Sequence, residues 1–363
     1  MRDAYLKLAL VEGFGEGLVP ALLAPDLDPV RCLAAPPPLP PRAAARLRWP
    51  DLAARADRLA AAAAAAGLEL LTPADAAWPE RLRHAPLRPL VLFVRGDPAA
   101  LARSRGVALV GTRTPTPYGS ATATALATAL AQAGATVWSG LARGVDALAH
   151  RASVATGTPT VAVLAGGLDA IYPPEHAALA RAIADGGGCL VSELPPGQAA
   201  RRGHFPRRNR LLALGVEAVV VVEASLASGA RHTARFAAEA STDVFAVPGP
   251  WHSSLSQGCH RLIAEGAGIV EDPAALLQAL GFGGRSTAAA ALAVAASADE
   301  QRVLDALRDG PRPGDLVQRE AGLERGPFLR ALFGLERRGA VRRLAGDLLH
   351  ALPAGPPGAV TSR

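Results

Sequence analysis

The sequence predicts an α/β protein built on a doubly wound, mainly parallel sheet, with a small helical domain before it and a winged-helix-like domain after it. Between residues 107 and 280, short apolar runs alternate with amphipathic stretches of helical length, the pattern of strands covered on both faces and joined by crossover helices. The runs end in loops rich in glycine, serine and threonine, which places a ligand at the carboxyl edge of the sheet. On either side the pattern turns helical, and a Gly- and Ala-rich stretch at 281–298 reads as a linker.

Residues 1–75 are the expected helical domain. Leu6, Leu8, Leu10 and Val11 are followed by Gly13, Gly15 and Gly17, then a proline break at 36–41 and an alanine-rich helix. The glycine turn fits a helix-hairpin-helix, whose amides approach a DNA phosphate, but glycine-rich turns between helices are common. Residues 76–280 hold the sheet, with strands expected at 107–110, 135–138, 160–164, 189–191, 218–222 and 243–247, and helices at 120–133, 145–155 and 230–240. In the last domain, 299–352, a helix begins at Glu300, prolines at 311–313 break it, and a second helix spans 325–338. Two short strands at 340–344 and 348–352 make a wing, a module that binds duplex DNA or protein. Residues 353–363 read as a disordered tail.

With 363 residues, the chain is long enough for several domains. Its net charge of +6 is nearly all arginine, since Lys7 is the only lysine. A polyanionic partner fits that balance, but arginine enrichment runs through the whole chain, so clustering says more than abundance. Cys32, Cys189 and Cys259 have no metal-ligand or redox spacing. Neither a signal peptide nor an apolar span is evident, so a cytoplasmic location is expected.

The densest cluster is Arg201-Arg-Gly-His-Phe-Pro-Arg-Arg-Asn-Arg210. Guanidinium groups pair with phosphate oxygens and an aromatic face stacks any base, so the segment fits single-stranded nucleic acid. It also fits a solvated basic loop. The strand-end loops add Gly111-Thr112-Arg113, Ser139-Gly140, Gly166 and Ser228-Gly229, small residues that let backbone approach an anion. No Gly-x-Gly-x-x-Gly or Walker pattern follows the first strand. Asp146 near a helix start reads as a cap, with His150 one turn on as its partner or a packed residue. Glu193 and Glu223, each ending a strand, read as braces for loop amides or arginines.

Six ordered motifs between Gly111 and Gly249 carry a resemblance. Gly111-Thr-Arg113 with Tyr118-Gly119, 139–146 with His150, 163–169 with Tyr172-Pro173, 192–197, Phe205-Pro-Arg-Arg-Asn-Arg210 and 244–249 are similar to those of the DNA-processing protein A family, DprA, also called Smf. The resemblance implies an extended Rossmann-like domain that binds single-stranded DNA, dimerises and helps load RecA recombinase during natural transformation, with no cofactor, metal or catalytic residue, and in some members a sterile-alpha-motif-like domain before it, the alternative to a helix-hairpin-helix for residues 1–75. It makes Arg113 and Arg202 phosphate contacts and Phe205 a base contact, with Arg207, Arg208 and Arg210 extending the positive surface or bracing loops. It makes Leu262, Ile263 and Ile269 dimer-interface residues. Where the family has Ser-Gly-Ser-Leu-Ile-Thr-Ala, this chain has Ser228-Gly-Ala-Arg-His-Thr-Ala234, which puts local contacts there in doubt. The competing reading is a LOG-like nucleoside monophosphate phosphoribohydrolase using Glu193 or Glu223, although its Pro-Gly-Gly-x-Gly-Thr motif is absent. A third is a winged-helix transcription factor.

Overall fold

A computed structural model describes residues 1–14, 19–102, 105–282, 297–308, 312–337, 340–344 and 348–351. The chain divides into two compact units, residues 1–282 and 283–363. In the first, helices α1 (Arg2–Glu12), α2 (Pro29–Ala34), α3 (Pro41–Leu47) and α4 (Leu52–Ala65) precede strand β1 (Glu69–Leu71). Short helix α5 (Glu80–Arg83), strand β2 (Leu92–Gly96) and short helix α6 (Ala99–Ala102) follow. Then come the alternating units: β3 (Gly106–Val110), α7 (Pro117–Gln132), β4 (Thr136–Ser139), α8 (Val145–Ala155), β5 (Thr160–Val163), α9 (Ala177–Asp185) and β6 (Cys189–Ser192). They continue through α10 (His204–Leu214), β7 (Ala218–Val221), α11 (Ala230–Glu239), β8 (Asp243–Ala246), α12 (Gln257–Ala264), β9 (Gly268–Ile269) and α13 (Pro273–Ala279).

The nine strands form one sheet in the order β1-β2-β6-β5-β4-β3-β7-β8-β9. Pairing is parallel from β6 to β9 and antiparallel for β1/β2 and β2/β6. Alternation along each strand sends side chains to opposite faces. Ala108 and Val110 pack with Leu211, Leu212, Ala234 and Leu262 of α10–α12, whereas Val107 and Leu109 pack with Leu126, Leu130, Val145 and Ala149 of α7 and α8. The strands are therefore covered on both sides, as their apolar sequence requires.

The sheet begins at Glu69, ahead of the boundary expected at 75/76, and the N-terminal helices share a core with it. Leu8, Val11 and Leu22 cluster with Phe93, Leu164 and Leu190, and Phe14 meets Phe93 edge-to-face at 6.1 Å. Gly13 ends α1, but Gly15 and Gly17 of the proposed hairpin lie outside the described residues.

The second unit contains α14 (Ala298–Ala306), β10 (Arg312–Pro313), α15 (Gly314–Glu320), α16 (Arg325–Arg337), β11 (Val341–Leu344) and β12 (Leu348–Ala351). Its antiparallel strands run in the order β10-β12-β11 over a core that includes Val303, Val317, Phe328, Leu335 and Leu349. This is the expected winged helix, with the seven-residue α15 and the two-residue β10 as additions to the sequence reading. Most of the expected linker, 283–296, and the whole tail at 353–363 lie outside the described residues. No helix among the described residues is long and apolar enough to cross a membrane.

Candidate nucleic-acid interface

The chain lays down β3, β4, β5 and β6 outward on one side, then returns so that β7 pairs with β3 on the other. Loops leaving β3 and β7 diverge at this switch point and open a crevice at the carboxyl edge. The loop after β3, with Gly111, Thr112 and Arg113, is held by Glu223 at the end of β7. The Thr112 amide donates to the Glu223 carbonyl at 2.7 Å, and the amide and hydroxyl of Thr116 donate to its carboxylate at 2.9 and 2.5 Å. Thr116 also accepts from the Gly119 amide and caps α7. Gly144, at φ +75°, lets the loop after β4 lie against this one, since a Cβ there would stand 2.4 Å from the Thr112 carbonyl oxygen.

Arg113 is exposed, and its guanidinium carbon lies 5.5 Å from the centre of the Phe205 ring. Phe205, in the first turn of α10, is half-buried and meets Tyr172 edge-to-face at 6.1 Å. Arg113, Ala142 and Phe205 separate two adjoining hollows. One is lined by Gly140, Arg143, Gly166 and Tyr172. The other, of about 340 Å³, is lined by Gly111, Thr112, Arg208, Asn209, Ser228 and Gly229. Tyr172 and Arg143 were not among the expected site residues. Both stand in quoted motifs, and the signal for Tyr172 was an aromatic in a polar strand-end loop.

The arginine segment is not a loop: from His204 it is the helix α10. Arg202, just ahead of it, is exposed. Arg207 and Arg210, three apart and so on one helical face, turn into the protein. Arg207 donates to Glu12 of α1 at 2.8 and 3.1 Å and to Glu193 at 3.3 Å. Arg210, 1% exposed, grips Glu193 with two donors at 2.7 and 3.0 Å and the Leu87 carbonyl at 2.7 Å. Neither lines the crevice, so of the two roles expected for them the extension of its positive surface is corrected and the bracing role remains. Arg208 does line it, but its guanidinium is buried, donating to the Val163 carbonyl at 3.1 Å and lying 3.9 Å from Asp146. Gly140 leaves room for that group, since a Cβ there would fall 1.2 Å from Nη1 of Arg208.

Other expected contacts are committed within the protein. The Ser139 hydroxyl is buried and donates to the Leu109 carbonyl at 2.6 Å, so it ties β4 to β3 and does not reach the crevice. The amides of Gly140 and Ala142 donate to Asp146 at 3.0 and 3.4 Å. Burial raises the Asp146 carboxyl above its ordinary range against the pull of Arg208. His150 Nδ1 lies 2.9 Å from the Thr160 hydroxyl. Burial, with Arg208 and His176 nearby, lowers His150 to about 3, so the ring is neutral. Asp146 is thus a loop cap, and His150 a packed residue bonded to Thr160. With Glu193 on arginines and Glu223 on loop amides, the two strand-end glutamates act as braces.

Of the three expected interface residues, Leu262 is buried in the core beside Cys259, Ile263 is half-buried and Ile269, on edge strand β9, is 53% exposed. Leu262 therefore mainly supports the fold, with only a small part of it reaching the groove beside it. A groove of about 760 Å³ nearby is lined by Arg231, His232, Arg235 and Glu265. In the departing segment Arg231 donates to the Leu226 carbonyl at 2.8 Å and lies 3.9 Å from Glu265, so the charged residue packs along this groove.

Residues 69–281 match the family model of DNA recombination-mediator protein A, and residues 286–347 match the DprA winged helix domain. The chain is 41% identical over 214 residues to Protein Smf of Escherichia coli, covering 59% of this chain and 57% of that protein. It is 43% identical over 217 residues to a putative DNA processing protein DprA of Mycobacterium tuberculosis, covering 56% and 55%. The match thus spans little more than half the length of these curated relatives. The X-ray structure of DprA from Streptococcus pneumoniae superposes with a TM-score of 0.61 at 29% identity, covering 77% of this chain and 93% of that one. A Helicobacter pylori DNA processing protein A, described for its single-stranded DNA binding mode, superposes at 0.53 with 29% identity, covering 59% and 95%. With a family model covering more than half of its length, the chain belongs to the DNA recombination-mediator protein A family.

Proposed function

We propose that the crevice holds a run of single-stranded DNA and that the protein is a recombination mediator, protecting incoming DNA and loading RecA during natural transformation in the cytoplasm. The observation that carries this reading is the Arg113 guanidinium set beside the Phe205 and Tyr172 rings at the mouth of a glycine-lined crevice. Arg113 and Arg202 neutralise phosphates, the backbone around Gly111, Gly166 and Gly229 lets the strand come close, and Phe205 with Tyr172 supplies ring faces for bases. Such stacking tolerates any sequence. Membership of a recombination-mediator family and the single-strand binding named for the H. pylori relative support it.

Dimerisation through the β9 edge, with Ile263 and Ile269 in the contact, joins two crevices and raises avidity through effective concentration. The terminal domains are the candidates for duplex DNA contact. No chemical step is assigned, since the two strand-end glutamates are occupied as braces.

Fluorescence anisotropy of the full chain with labelled single-stranded and duplex DNA across a salt series tests the reading. Tighter single-strand binding is expected, with a log–log slope of about −0.7 per phosphate contact. Equal affinity for duplex, or binding insensitive to salt, contradicts it.

A further inference from the structure

Aromatic residues make up 4% of the chain. Among the described residues of the first unit, the exposed ones are Tyr118 and Tyr172, each 48%, and Trp251, 84%. All three stand where the chain leaves the carboxyl ends of parallel strands: Tyr172 after β5, Tyr118 at the start of α7 after β3, and Trp251 after β8. The strand order β5-β4-β3-β7-β8 lines these exits along one edge, spanning roughly 19 Å at about 4.8 Å per strand. The crevice with Arg113 and Phe205 lies within that row, and Trp251 lies past it on the β8 side.

The Trp251 loop is pinned. Tyr118 Oη donates to the Pro248 carbonyl at 2.9 Å, and His260 Nε2 lies 2.9 Å from the Gly249 carbonyl oxygen. The amides of Ser253 and Ser256 close successive turns onto the carbonyls of Pro250 and Ser253, each at 3.0 Å. The indole itself meets His252 edge-to-face at 5.7 Å. Tryptophan is highly buried on average, yet here a fixed turn presents it to solvent with His252, Ser253 and Ser254 as its sequence neighbours. The core of a protein interface is richer in contiguous apolar groups than this loop, whereas a flat ring in polar surroundings suits the face of a base.

We propose that Trp251 is a second base-stacking station, extending the single-strand path from the Arg113–Phe205 crevice past Tyr118 to the end of β8. The proposal rests on the single-strand reading above. It is tested on the full chain with oligothymidylate. Trp78 and Trp138 are buried and Trp49 is half-buried with Arg55 over its ring, so quenching of the solvent-exposed emission reports Trp251. Saturable quenching is expected, Trp251→Ala should weaken binding roughly fivefold or more without changing the salt slope, and Trp251→Phe should restore most of the affinity. Unchanged affinity in Trp251→Ala overturns the proposal, as does unquenched emission on binding. A change of sedimentation coefficient in Trp251→Ala with oligonucleotide affinity intact also overturns it, in favour of a protein contact. Arg113→Ala, run in parallel, separates the two failures. If the wild type binds and Arg113→Ala is weaker while Trp251→Ala is not, the station alone is lost; if the wild type does not bind, the single-strand reading falls with it.

Discussion

Arg113 and Arg210 bear the same charge in opposite surroundings, and that difference sets what each substitution does. Arg210 is enclosed with Glu193, whose other partner, Arg207, is more distant and shared with Glu12, and removing Arg210 leaves a buried carboxylate undercompensated. Arg210→Ala is therefore expected to lower stability by about 3–5 kcal/mol in urea denaturation. Arg113→Ala, at an exposed position, should stay within about 0.5 kcal/mol of the wild type. A neutral result for Arg210→Ala would mean that Arg207 alone compensates Glu193. Phe205 is a separate case: it carries no charge, so Phe205→Ala should reduce oligothymidylate affinity roughly fivefold or more while leaving the salt slope intact, read by anisotropy. A changed slope would mean that the ring acts mainly by positioning Arg113.

Helix α10 decides which arginines reach the crevice, and this is where the sequence was hardest to read. Taken as a loop, 201–210 offers all its guanidinium groups to a ligand; wound as a helix from His204, it turns positions 207 and 210 inward. Their partners, Glu12 and Glu193, are 195 and 17 residues away, too far for local pattern to show. The parallel strands were legible because wholly apolar runs such as those of β3 and β7 have few alternatives to burial on both faces. Strands β1 and β2 were not, since Glu69–Leu71 is three residues long and owes its place to antiparallel pairing with β2. The strand-end loops were legible from their glycines, but the internal use of Ser139 and of the Gly140 amide was not.

Contact between α1 and α10 also has a pH signature. Burial raises the Glu12 carboxyl from its ordinary 4.5 to about 7, against the lowering effect of Arg207. The native state then holds this proton more tightly than the unfolded chain. Glu12's contribution to stability should be complete below pH 4.5, decline as pH rises to about 7 and stay level above it. Urea midpoints across that window, compared with Glu12→Gln, isolate the contribution. A wild type that gains stability over this range relative to Glu12→Gln would show the opposite shift.

Across the whole molecule, a net charge of +6 says little by itself, because many of the arginines are engaged by carboxylates, among them Arg105, Arg207, Arg210, Arg261 and Arg312. What distinguishes the carboxyl edge is that an exposed arginine and the exposed aromatics of the first unit are gathered there. In the proposed function this edge holds a single strand with Arg113 on a phosphate. Its most direct test is a salt titration of oligothymidylate binding by the wild type and Arg113→Ala side by side. Weaker binding by the variant is expected, with little sequence bias and a slope smaller in magnitude by about 0.7. Equal affinity with an equal slope would contradict it.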